Sequence, residues 1–170
     1  MSVLFMNVSE TGVQLIDQCL LDTVSGAAQA SPRRRKNHNF HAGDADASHR
    51  LLNAIEPDSY IQPHLHADPA KDETIVVLRG KLGIVFFDAG GEITGSALLM
   101  PGGDTVGVNI PHGVYHTVLA LEACTVFFEA KAGPYVPLGD AEKASWAPKE
   151  GEAGTAEWLE RWRRVVERCA

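Results

Sequence analysis

Residues 73–100 read Glu73-Thr-Ile-Val-Val-Leu-Arg-Gly80-Lys-Leu-Gly-Ile-Val-Phe-Phe-Asp88-Ala-Gly-Gly-Glu-Ile-Thr-Gly-Ser-Ala-Leu-Leu-Met100, and this stretch decides the fold. It holds short apolar and β-branched runs at 73–79, 81–88 and 92–100, cut apart by Arg79-Gly80 and Ala89-Gly90-Gly91. Runs of this length and composition, bounded by turn residues, predict strands. The pattern continues outward. Upstream are runs at 49–56 and 60–66, parted by Pro57-Asp58. Downstream are 104–110, 114–120 and 123–130, bounded by Pro101-Gly102-Gly103, Pro111-His112-Gly113 and Leu121-Glu122. Many short strands with no helix between them predict a sandwich or barrel rather than alternating βαβ units.

Helical spacing frames this β-region. Val13, Ile16, Leu20 and Val24, with Leu15 and Cys19 beside them, predict a helix capped by Ser9 and ending near Gly26. Residues 133–154, rich in Gly, Pro and Ala, read as an extended loop. Trp158, Trp162, Val165, Val166 and Cys169 then share one face of an amphipathic helix, with Arg161, Arg163, Arg164 and Arg168 around them. The expected organisation is a helical segment at 1–31, an all-β barrel at 32–132, and a loop and helix at 133–170 packed on that barrel.

Composition bounds the function. The chain has 170 residues, 45% hydrophobic and 22% charged, which suits one globular domain and excludes disorder, collagen-like repeats and coiled coils. Apolar runs such as Ile84-Val-Phe-Phe87 are too short to span a bilayer, and the first basic residue is Arg33, so neither membrane span nor secretory signal is expected. A net charge of -7 argues against a nucleic-acid partner. Cys19, Cys124 and Cys169 are scattered without Cys-x-x-Cys pairing, which suits a reducing cytoplasm and small apolar side chains packed in helix and strand.

The chemistry concentrates in histidines. On a strand over 60–66, Tyr60, Gln62, His64 and His66 share one face while Ile61, Pro63 and Leu65 take the other. Glu73 opens the next strand, where the chain can double back beside them, and His116 follows a later turn. Three imidazoles and a carboxylate form a mixed nitrogen/oxygen site for one divalent first-row metal: Fe, Zn, Mn or Ni. Four protein ligands leave two positions open on a metal that prefers six.

Pro63-His64-Leu-His66, Glu73 and Gly80 resemble the first cupin motif, and Pro111-His-Gly-Val-Tyr-His116 resembles the second. Within cupins the chain is most similar to the WbuC-type cupin-fold metalloproteins. The likeness runs through Ser31-Pro-Arg-Arg-Arg-Lys-Asn-His-Asn-Phe-His41, His49-Arg-Leu-Leu-Asn-Ala-Ile55, Gly133-Pro-Tyr135 and Trp146-Ala-Pro148. The resemblance implies a cupin-type double-stranded β-helix (jelly-roll barrel), a metal on His64, His66, Glu73 and His116, and a link to bacterial surface-polysaccharide biosynthesis. It implies no particular reaction. Six residues separate His66 from Glu73, more than the usual three or four, which leaves Asp72 and Asp68 as alternative carboxylates. Asp58 and Ala120 replace the usual Gly and Asn of the motifs, at turns.

The expected function is a metal-dependent enzyme acting on a small polar, carbohydrate-related molecule by isomerase- or epimerase-like chemistry, with Glu73 or Tyr60 moving the proton. An iron-dependent oxygenase and a non-catalytic metal-dependent sensor are the alternatives. The basic run Arg33-Arg-Arg-Lys36 has two readings. As a strand, it aligns Arg33, Arg35, Asn37, Asn39 and His41 on one face, where Arg33, Arg35 and Asn37, with Gln62, would bind an anionic or sugar-derived substrate. Alternatively it guards a sheet edge. His112 is expected to be exposed, His38, His41 and His49 to lie at the surface or pocket rim, and the Trp158/Trp162 stripe to pack. A homodimer is left open.

Overall fold

The computed structural model describes residues 12–168. In chain order the elements are α1 (Gln18–Ala30), β1 (Arg35–Asn39), β2 (Ser48–Ile55), β3 (Glu73–Arg79), β4 (Leu82–Phe87), β5 (Ile93–Leu99), β6 (Gly107–Ile110), β7 (Tyr115–Ala120), β8 (Thr125–Ala132) and α2 (Thr155–Glu167). The strands form two antiparallel sheets, of five strands in the order β1-β2-β8-β3-β6 and of three in the order β5-β4-β7.

Side-chain alternation builds three apolar layers. Inward residues of the larger sheet, Ile55, Ile75 and Phe127, pack against Leu82, Ile84, Leu99 and Val118 of the smaller one, so the sheets face each other. Outward residues Leu52, Ala54 and Val126 pack under Leu21, Val24 and Ala28 of α1. On the opposite side Val85, Phe87 and Leu119 pack under Leu159, Trp162 and Val166 of α2. The continuous apolar run of β4 follows from burial on both faces: Leu82 and Ile84 meet the other sheet, Val85 and Phe87 meet α2. Full burial of each such side chain stabilises the fold by roughly 1.5–3 kcal/mol.

Several expectations shift. The first helix starts at Gln18, because Asp17 caps it by accepting the Leu20 N–H at 2.9 Å. Val13, Leu15 and Ile16 precede it and are exposed, so the buried stripe is Leu21, Val24 and Ala28. The helix runs through Gly26 to Ala30. Cys19 is exposed rather than packed. Cys124 lies in the turn before β8 with φ +58°. Ser9 and Cys169 lie outside the described residues. The basic run is not one strand either: Arg34 has φ +56°, so β1 begins at Arg35 and the alternation carries only Arg35, Asn37 and Asn39. His41 and His49 are buried and stacked on each other at 4.0 Å rather than placed at the surface.

Candidate metal centre

The segment 60–66 is extended but does not form a strand of either sheet. Its backbone bonds alternate between two neighbours. His64 exchanges both backbone bonds with His116 on β7 (3.0 and 2.9 Å). Leu65 N–H donates to the Glu142 carbonyl (2.9 Å), and the Pro63 carbonyl accepts from Ala144 (2.8 Å). Pro63 has no N–H to add to a ladder. Gly113 N–H donates to the His66 carbonyl (2.8 Å), tying down the far end.

This double anchoring brings His64 and His66 beside His116. Ligand nitrogens of the three rings all lie within 4.8 Å of one another. Glu73, the first residue of β3, places Oε2 3.2 Å from Nε2 of both His66 and His116. His66, His116 and Glu73 are buried. The other two carboxylates near the motif are engaged elsewhere. Asp72 Oδ1 accepts from the His112 N–H at 2.9 Å on the exposed side, and Asp68 caps its own turn at Ala70.

The hydrogen bonds of the rings fix which nitrogen is available. His64 Nδ1 lies 3.1 Å from the Gln62 carbonyl and His116 Nδ1 2.9 Å from the Val114 carbonyl. A carbonyl accepts only, so each Nδ1 carries a proton and the Nε2 of a neutral ring is a bare lone pair. Burial, and then the neighbouring His116, push His64 down to about 3, so that ring is neutral. With its Nδ1 held by the Val114 carbonyl, His116 turns Nε2 toward the Glu73 carboxylate at 3.2 Å, as His66 does, so two ring nitrogens and a carboxylate oxygen converge as the ligands of one cation do. Burial alone would raise Glu73, but its hydrogen bonds with His116 and His66 and the Lys131 charge overturn it and hold the carboxyl well below its usual range. The donor set therefore fits a divalent transition metal.

A cavity of about 130 Å³ opens beside these groups, between the two sheets. Its floor is apolar, with Ile55, Ile75, Val118 and Phe127. Its polar wall comes from inward positions of the larger sheet: Asn53 on β2, Glu73 on β3, and Glu129 and Lys131 on β8. Lys131 Nζ stands 2.6 Å from Glu129 Oε1 and 3.7 Å from Glu73 Oε1, while Asn53 donates to Glu129 Oε2 at 2.7 Å. Burial, and then the Glu73 charge, raise Glu129 to about 7 against the pull of Lys131. Burial lowers Lys131, but the Glu129 and Glu73 carboxylates outweigh it and raise the ammonium above its ordinary value.

Sequence reasoning missed Asn53, Glu129 and Lys131. The signal was parity: along Thr125–Ala132 the charges at 129 and 131 share a face with the core residue Phe127.

The remaining expected residues separate. Tyr60 does not share the histidines' face. Its ring stacks on Trp162 at 5.5 Å, drawn into the α2 layer, and its hydroxyl donates to the Pro148 carbonyl at 2.7 Å. Burial, then the Glu150 and Glu152 charges, raise that hydroxyl above its ordinary value. Gln62 donates to the Ala144 carbonyl at 2.9 Å and lines an outer groove with His64, Arg33 and Arg35. Asn37 is exposed and donates to Asn39 Oδ1 at 2.6 Å, away from both cavities. His112 is exposed, as expected.

A protein family described as "Domain of unknown function (DUF6016)" matches residues 16–99, just under half of the chain. The matched span takes in His64, His66 and Glu73 and stops before His116. No curated protein matches the sequence. Among solved structures the chain is similar to KdgF from Halomonas sp., at 17% identity over 61% of this chain and 83% of that one, with a TM-score of 0.46. It is similar to a cupin-2 domain containing protein from Shewanella frigidimarina, at 24% identity over 57% and 79%, with a TM-score of 0.43. It is also similar to an oxalate decarboxylase variant from Bacillus subtilis, at 16% identity over 59% of this chain and 29% of that one, with a TM-score of 0.44. Among the described residues no helix is long and apolar enough to cross a membrane.

Proposed function

We propose that this chain is a metal-binding protein of the cupin, WbuC-like type. Its metal would be one divalent transition ion held by His64, His66, His116 and Glu73. We further propose that it acts on a small polar, carbohydrate-related molecule by isomerase- or epimerase-like chemistry. The observation that carries the reading is the convergence of three imidazoles, their ligand nitrogens within 4.8 Å of one another, with Nε2 of both His66 and His116 3.2 Å from Glu73 Oε2. When bound, the metal supplies Lewis-acid polarisation of a carbonyl or hydroxyl oxygen.

The chain's own residues supply the rest. Glu73 has one oxygen toward the imidazoles and the other toward Lys131, and the Tyr60 hydroxyl is spent on Pro148. Proton movement falls to Glu129, which lines the cavity, is held at about 7 and is oriented by Asn53. Its poise suits both taking and returning a proton near neutral pH, which isomerisation requires. The inner cavity is close in size to one that holds a benzene-sized guest of roughly 150 Å³, so it takes only the reacting end of a sugar-derived molecule. The remainder of the ligand extends into the groove lined by Gln62, Arg35 and Arg33.

Elemental analysis tests the reading. The purified protein is expected to hold one divalent transition ion per chain, and His66→Ala to lose most of it. Full retention in that variant would remove His66 from the ligand set and the reading with it.

A further inference from the structure

Arg33 and Arg35 converge on one carboxylate. Arg33 donates to Glu150 through Nε (3.1 Å) and Nη2 (3.1 Å), and Arg35 Nη2 donates to Glu150 Oε1. The left-handed backbone of Arg34 sets up this convergence. It sends the Arg34 side chain the other way, to Asp58 at 3.0 Å and the Gln29 carbonyl, leaving its two neighbours together. We propose, resting on the metal-centre reading above, that the Arg33–Arg35 pair is the docking site for the oxyanion of a small ligand, and that Glu150 is a tethered competitor occupying it until that ligand arrives.

Arg35 is built for this. Its Nη1 donates to the Tyr60 carbonyl (3.0 Å) and Ser59 Oγ (3.3 Å), so the guanidinium is fixed before any ligand binds. Its side chain is only 17% exposed, which strengthens its bonds relative to a surface pair. Arg35 and His64 are also among the residues that line both the inner cavity and the outer groove. An anion seated on Arg35 therefore sits at the junction leading to the imidazole cluster, and metal and arginine hold the ligand at two points. The groove brings four cationic side chains, Arg33, Arg35, Lys143 and Lys149, against two carboxylates, Asp140 and Glu150. The groove is thus already in positive excess with Glu150 in place, and turning Glu150 away deepens that excess at the fork, where an incoming oxyanion takes its place.

Glu150 is suited to leave. Its side chain is 35% exposed, and the backbone before it stays pinned by the Tyr60 hydroxyl on Pro148, so rotation of the side chain alone clears the fork. An internal occupant lowers the affinity for a free anion by the fraction of time the fork is open. The competing role is a plain latch that ties the 143–153 segment to the start of β1.

Calorimetric titration with inorganic phosphate, and separately with acetate, on the purified full chain separates the two. Glu150→Gln is expected to bind at least one of these roughly tenfold more tightly than wild type. Glu150→Asp, which keeps the charge but shortens the reach, falls between them. Adding Arg35→Met to Glu150→Gln abolishes the gain. Unchanged or weaker binding of both anions by Glu150→Gln, or a gain that survives Arg35→Met, overturns the proposal. Should Glu150→Gln not fold, Glu150→Asp binding no better than wild type does the same. Metal content measured on the same samples tells this outcome from failure of the metal-centre reading, since the anion response does not need the ion.

Discussion

His116 and Glu129 show how burial sets chemistry one side chain at a time. His116 spends Nδ1 on a backbone carbonyl and turns Nε2 to a carboxylate. Glu129, buried and next to another acid, is raised to about 7. That shift has a sign. A carboxyl whose folded value lies above its unfolded value of about 4.5 binds more protons in the folded state across that interval. Wild-type stability is therefore reduced by this group as pH rises from about 4.5 to 7. Glu129→Gln stays neutral and escapes the penalty. Its stability relative to wild type is expected to be higher at pH 8 than at pH 4.5 in denaturant unfolding of chelator-treated protein, and a difference that does not change with pH would contradict the assignment. At this scale the sequence was half legible. His64, His66, Glu73 and His116 announce themselves as a spaced set of metal-competent side chains. Asn53, Glu129 and Lys131 come together only through the pairing of β2, β8 and β3, and that register is not written in any one segment.

Among the elements, strands whose runs were closed by turn residues were readable, and those that depended on tertiary partners were not. The runs around β3, β4, β5, β7 and β8 all sit within a few residues of their expected bounds. The 60–66 segment has strand-like alternation, yet it pairs with β7 on one side and with the 142–144 loop on the other, so its face pattern failed at Tyr60. Trp162 explains that failure. It is fully buried, and Tyr60, Phe87 and Trp158 pack around its ring. Trp162→Ala is expected to cost about 3–5 kcal/mol, read as a lowered denaturant midpoint, because α2 would lose its central contact with the smaller sheet. A cost below about 1 kcal/mol, the range of ordinary surface changes, would mean that α2 adds little to the fold.

The whole molecule is four layers, helix, sheet, sheet, helix, with three apolar seams and the polar cavity lying within the middle one. The seams are built from aliphatic and aromatic side chains, so a bound ion would add stability by linkage without being needed for folding. A β-rich body with a helix at each end was legible, because strand density and helical spacing are local signals. The closed barrel read from it takes the form of two facing antiparallel sheets. The division into five and three strands was not legible, since it depends on which distant runs pair. The account turns on the Nε2 atoms of His64, His66 and His116 sharing one ion with Glu73. The most direct test is a zinc titration of chelator-treated, nitrogen-15-labelled protein, followed through the imidazole resonances by NMR. The account predicts a dispersed, folded spectrum before any metal is added, then saturation at one zinc per chain with the Nε2 signals of these three rings shifting together. Zinc that binds without moving those three signals, or that moves Nδ1 of His64 and His116 instead, would contradict it.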